Sequence, residues 1–160
     1  MNPGSHSGVQ EATMRTLFAL ILMTGVAAAD NGDTAGTYDV KFDEMATTCS
    51  PPPVTLAKSK ITIATFPKKN ALTVNIETIP EMAGVPQKGG KVNAKTIKGS
   101  NGVVPTTVGG LDAKYSIAGK IDDGGMVQLV LVAEYIKHDD KKPYCTQSWN
   151  VTGLRGDKAK

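Results

Sequence analysis

The stretch Met126–Lys137 has the strongest structural signal in the chain, and it predicts a long β-strand. Its inward apolar residues recur at every second position: Val127, Leu129, Leu131, Ala133 and Tyr135. β-Branched residues fill much of the space between them, and a Gly124–Gly125 pair precedes the stretch. This period is that of a strand rather than a helix, so we expect a sheet to be built around it.

Similar alternation recurs along the chain and predicts an all-β fold. The expected strands are residues 36–43, 56–66, 71–79, 91–98, 103–108, 111–121, 126–137 and 144–154. The segment 103–108 is the weakest of them because Pro105 interrupts it. Residues 80–90 show no pattern and are interpreted as an irregular connection, either a lid or an overhang. Short connections favour an antiparallel meander.

The N-terminal region has the composition of an export signal. Residues 14–29 combine a cationic start, an apolar core and small residues before Asp30, which is typical of a cleaved signal peptide. The apolar core is shorter than the ~20 residues of a permanent membrane anchor. The domain prediction is therefore an upstream extension at 1–13, the signal peptide at 14–29, a flexible leader at 30–35, one β domain at 36–155 and a polar tail at 156–160. We expect a secreted or periplasmic protein.

Two cysteines, Cys49 and Cys145, remain after the predicted cleavage site. An isolated pair in an exported chain favours a disulfide over free or metal-binding thiols, since no Cys-x-x-Cys motif or His cluster accompanies it. Cys49 follows the first strand and Cys145 begins the last, so a bridge would bring those two strand ends together. In a meander this requires an even number of strands.

Counting the weak segment 103–108 gives eight strands. This number suits an up-and-down barrel whose closure removes both sheet edges. The alternative architecture is a β-sandwich in which the same bridge ties two sheets together.

Charge and composition exclude some classes of function. The net charge of +3 is spread over scattered lysines, and aromatic residues make up only 5% of the chain. Neither a basic patch nor a stacking platform for nucleic acid is evident. No cofactor motif is present, so we expect no cofactor, no metal and no nucleic-acid partner, and a monomer is the simplest assembly.

Gly36-Thr37-Tyr38 opens the first predicted strand, while Trp149 and Arg155 lie near the end of the last. These two short segments resemble those of the calycin barrels, lipocalins and avidins. Calycins begin with a Gly-x-Trp strand whose aromatic ring is covered by a basic residue near the terminal strand; here the first-strand aromatic is Tyr38 and the Trp lies at the other end. The resemblance implies a cup-shaped secreted barrel that binds a small apolar ligand.

His138 is the one histidine downstream of the predicted cleavage site. Beside Asp139, Asp140 or Glu134 it could serve a hydrolase-type site as a base. A solvated loop tip is the other interpretation, and the absence of any catalytic motif favours it. We therefore predict a protein that is not an enzyme.

Two functional hypotheses follow. In the first, the protein binds a small hydrophobic ligand in a pocket lined by Phe42, Tyr115, Tyr135 and Trp149, although the same residues suit a packed core. In the second, it is an interaction or inhibitor-like module that contacts an extracellular protein through loops at residues 47–54 and 80–90.

Overall fold

A computed structural model describes residues 34–97 and 102–157. The predicted extension, the signal peptide, most of the leader and the last three residues of the tail lie outside these ranges. Within them, the structure consists of strands, connecting loops and one 3-10 turn at Pro67–Lys69. The nine strands are β1 (Gly36–Thr47), β2 (Lys58–Phe66), β3 (Ala71–Ile76), β4 (Ile79–Gly84), β5 (Lys91–Thr96), β6 (Val104–Pro105), β7 (Leu111–Ile121), β8 (Met126–Lys137) and β9 (Pro143–Arg155).

Eight of these strands form a closed antiparallel barrel. They follow one another as a meander from β1 to β5 and from β7 to β9. Two further pairings close the ring: β1 pairs with β9, and β5 pairs with β7. Because both pairings are antiparallel and join the ends of the sheet, the predicted up-and-down barrel is confirmed rather than the sandwich.

The barrel has eight strands, as predicted, but one of the eight is not the strand that was expected. Residues 80–90 were expected to be an irregular connection, but their first half is β4, which pairs with both β3 and β5. Residues 103–108 were expected to contribute a strand, but only Val104–Pro105 does so, pairing with β7 at Ala113 and Asp112. The barrel therefore still has an even number of strands, and its first and last strands run antiparallel, as the disulfide requires.

Inward-facing side chains from all eight barrel strands make one core. The largest fully buried ones are Trp149, Tyr38, Tyr135, Ile61, Ile63, Leu72, Met82, Ile117, Leu129, Leu131, Gln147 and Val74. Closure of the sheet buries one face of every strand, which explains the period of two seen in the sequence. β8 shows this most clearly, since its predicted inward set, Val127 to Tyr135, is buried throughout.

The predicted disulfide is present. Cys49 and Cys145 are bonded, with their Cα atoms 5.1 Å apart, and the bridge joins the loop after β1 to the start of β9. We call this end of the barrel the disulfide end. At the opposite end, the beginning of β1 meets the end of β9, where Tyr38 pairs with Arg155 in the strand register.

Candidate functional site

His138 is joined to a residue that the sequence did not indicate. Its Nδ1 lies 3.0 and 3.2 Å from the two carboxylate oxygens of Asp112, at the start of β7. Lys141 donates a hydrogen bond to the same carboxylate at 2.9 Å. Among the described residues, the predicted partners Asp139, Asp140 and Glu134 make no hydrogen bond to His138. Asp112 was missed because its position in the alternating pattern is an outward one, and because its partners His138 and Lys141 lie 26 and 29 residues further along the chain.

The arrangement around Asp112 has the character of a structural tie. The hydrogen bond from His138, followed by that from Lys141, holds the pKa of the Asp112 carboxyl below its ordinary value. The Asp112 side chain is 6% exposed, whereas both partners are about 60% exposed. No group of three metal-ligating side chains occurs in the described ranges. The group therefore anchors the β8–β9 loop against β7.

The four aromatic residues proposed to line a pocket all point into the barrel. Phe42 and Tyr115 are 4% exposed, and Tyr135 and Trp149 are 1% exposed. A ligand-sized cavity would leave the side chains around it accessible to a water-sized sphere, so this burial is that of a packed core. Tyr115 and Tyr135 also border depressions that open on the outer surface. Ligand binding by the four residues stays a prediction.

A polar network lies inside the disulfide end and is centred on Gln147. The Tyr135 hydroxyl donates to the Gln147 carboxamide oxygen at 3.2 Å. The Gln147 amide nitrogen donates to Glu44 at 2.6 Å and to the Val54 carbonyl at 2.8 Å. Burial, and next the proximity of Tyr115, raises the pKa of the Tyr135 hydroxyl, so that hydroxyl is a neutral donor at physiological pH. The network thereby satisfies a buried amide and fixes the loop that carries Val54.

That loop, residues 48–57, is held to the barrel along its length; we call it the tied loop. It begins at the disulfide and a bond from Thr48 N to the Thr146 carbonyl at 2.9 Å, and it ends with the Ala57 carbonyl accepting from Phe42 N at 2.6 Å. Between these points Val54 and Leu56 pack against the core. The tip is what remains outside: Ser50, Pro51 and Pro52 are exposed.

Two depressions open on the outer surface on either side of the Lys114–Glu134 strand pair. The first, of about 530 Å³, lies where β5 and β7 diverge, and Thr96 and Tyr115 border it. The second, of about 590 Å³, lies between the end of β8 and the start of β9. Sequence patterns could not reveal either one, because both arise from local breaks in strand pairing.

Comparison with known proteins adds no assignment: no family model, curated protein or solved structure matches the chain. Within the described ranges there is no helix with the length and apolar character needed to cross a membrane. The disulfide is of the kind that persists in oxidising compartments.

Proposed function

We propose that the protein is an exported, non-enzymatic β-barrel that binds another extracellular or periplasmic protein through the tip of the tied loop. The observation that carries this proposal is the fixation of both ends of the loop, by the disulfide and Thr48 on one side and by the Gln147–Val54 and Phe42–Ala57 bonds on the other. A loop that is already ordered loses little conformational entropy on binding, which favours affinity.

Composition of the tip supports the same role. Residues 51–53 are three consecutive prolines, which restrict the backbone and remove three N–H donors. Met45, at an irregularity of β1 just before the loop, is 60% exposed and adds an apolar contact at this end of the barrel. The second loop named from the sequence is reduced to residues 85–90, because β4 occupies its first half. The tied loop is therefore the stronger candidate.

The test compares two pairs of substitutions that add the same charge at different places. In one variant Ser50→Glu and Pro52→Glu alter the tip; in the matched control Thr107→Glu and Pro67→Glu alter exposed positions outside both candidate loops. Immobilised protein would be exposed to culture medium or periplasmic extract of the source cells. We expect a protein retained by the wild type and by the control to be lost from the tip variant. Equal retention by both variants, or no specific retention by the wild type, would reject the proposal.

A second candidate is the binding of a small apolar ligand, supported by the depression between β5 and β7 that reaches Tyr115. Trp149, the single tryptophan of the chain, is buried in the core and reports on it. To pass from this outer depression into the barrel, a ligand must displace packed core side chains, so its entry should shift the Trp149 emission, and Tyr115→Ala, which removes one of those side chains, should enlarge that shift. An unchanged emission across a set of fatty acids, retinoids and steroids would eliminate this candidate and leave the tied loop.

A further inference from the structure

The second depression, between β8 and β9, has the size of a small-molecule site. Its volume of about 590 Å³ falls inside the ~300–1,000 Å³ range typical of ligand pockets. It exists because the β8–β9 register shifts: Tyr135 pairs with Cys145 and Ile136 with Pro143, which leaves Tyr144 as an extra residue. We call it the bulge depression.

One wall of the bulge depression is apolar. Ile136, Pro143 and Tyr144 line it, and Tyr144 is 46% exposed despite its large ring. An aromatic ring and a proline ring at the edge of a cavity provide flat apolar surface at low entropic cost, because both are rigid. This wall suits the apolar body of a small molecule.

The rim of the bulge depression carries one available cation and one available anion. Lys114 and Glu134 face each other in the β7–β8 register and both line the cavity. Neither takes part in an ion pair with any described residue. Lys141 also lines the cavity, but its amine is bonded to Asp112 at 2.9 Å. An anionic amphiphile would meet the Glu134 carboxylate, and a cationic one would meet the Lys114 amine.

We propose that the bulge depression binds a free apolar α-amino acid. Its carboxylate pairs with Lys114, its ammonium group pairs with Glu134, and its side chain lies on the wall formed by Ile136, Pro143 and Tyr144. The opposite charges of Lys114 and Glu134, on neighbouring strands, match the carboxylate and ammonium groups that an amino acid carries on its α-carbon. None of the residues that line the bulge depression belongs to the tied loop, and this proposal does not rest on the proposed function.

The experiment uses three probes that share a phenyl ring and differ in charge: L-phenylalanine, 3-phenylpropionate without the ammonium group, and phenethylamine without the carboxylate. Amide shifts of residues 134–137 and 143–146 in isotope-labelled protein would be followed by NMR. We expect L-phenylalanine to bind with a Kd of about 1 mM. Each of the other probes should bind about fivefold more weakly, as expected for loss of one exposed ion pair.

Variants assign the two charges. Lys114→Gln should weaken the binding of L-phenylalanine and 3-phenylpropionate but not that of phenethylamine. Glu134→Gln should weaken the binding of L-phenylalanine and phenethylamine but not that of 3-phenylpropionate. Lys95→Gln, which alters the first depression only, is the matched control and should have no effect. Equal binding of all three probes, an effect of Lys95→Gln as large as that of Lys114→Gln, or no amide shift up to about 20 mM L-phenylalanine would overturn the proposal.

Discussion

Arg155 lies over the ring of Tyr38 and hydrogen-bonds to its hydroxyl group. The guanidinium carbon is 5.4 Å from the ring centre, and a terminal guanidinium nitrogen donates to the Tyr38 oxygen at 3.0 Å. Tyr38 in turn donates to the Thr34 carbonyl at 2.8 Å. These contacts hold the end of β9 against the start of β1, at the end of the barrel opposite the disulfide end.

Replacement of Arg155 should destabilise the contact between β1 and β9 at this end of the barrel. We expect Arg155→Met to lower the free energy of unfolding by about 1–2 kcal/mol, because it removes both the cation–π contact and a hydrogen bond from a charged donor. Arg155→Lys keeps the charge but not the planar donor geometry, so its loss should be smaller. Urea denaturation gives the comparison, with Lys60→Met, at an exposed ion pair with Asp39, as a near-neutral control. Equal stabilities of Arg155→Met and the wild type would contradict the role of this contact.

The Cys49–Cys145 bridge should contribute more to the free energy of unfolding than any other single covalent or polar contact. It spans 96 residues of sequence. A loop of this length restricts the unfolded chain by about 4–5 kcal/mol in the chain-entropy treatment. We expect urea denaturation of the Cys49→Ala/Cys145→Ala variant to show a free energy of unfolding that is lower by most of this amount. The stability of the variant should not change when reductant is added. Reduction of the wild type should reproduce the same loss; a change below about 1 kcal/mol would show that the bridge does not restrict the unfolded chain as described.

The Gln147 network should show coupling between its members. Gln147→Leu removes the hydrogen bonds that the Tyr135 hydroxyl and the Val54 carbonyl make to Gln147. We expect it to lower the free energy of unfolding by about 1–3 kcal/mol. Tyr135→Phe in the same background removes one of the two groups that lost their hydrogen bond to Gln147. The double variant should therefore be more stable than the sum of the single losses predicts, by about 0.5–2 kcal/mol in a double-mutant cycle. Strict additivity would mean that the two side chains act independently.

Asp112 should make stability depend on acid pH. Its pKa is lowered from 3.8 by His138 and then Lys141, so the folded state binds its proton less readily than the unfolded state. The resulting stabilisation is complete above the unfolded-state value of 3.8 and is lost as the pH falls through the lower folded-state pKa. We expect Asp112→Asn to melt below the wild type at neutral pH, with the difference shrinking below about pH 4. The exposed Asp43→Asn variant is the control, and a pH-independent gap for Asp112→Asn would contradict the linkage.

Strands with regular alternation were predictable, and those without it were not. β8 and β7 follow the expected bounds because closure of the barrel buries alternate residues along their whole length. β4 was missed since Pro80, Glu81 and Gly84 lack strand character, and its pairing depends on close backbone approach: a Cβ on Gly84 would lie 1.9 Å from the Asn93 carbonyl oxygen. Such proximity is a tertiary property that no local pattern carries.

Features of the candidate sites follow the same division. Both cysteines and the inward aromatics could be identified from spacing and period. The Asp112 tie, the partners of Gln147 and the bulge depression could not, because each joins strands far apart in the sequence or depends on a shift in strand register.

Closure of the barrel is the claim on which the sites depend, and nuclear Overhauser contacts across its two joining seams test it most directly. We expect contacts between Phe42 and Val151 across β1–β9, and between Ala94 and Ile117 across β5–β7, in the same sample. Observation of the β1–β9 contacts without any across β5–β7 would describe an open sheet or a sandwich, and would contradict the closed barrel.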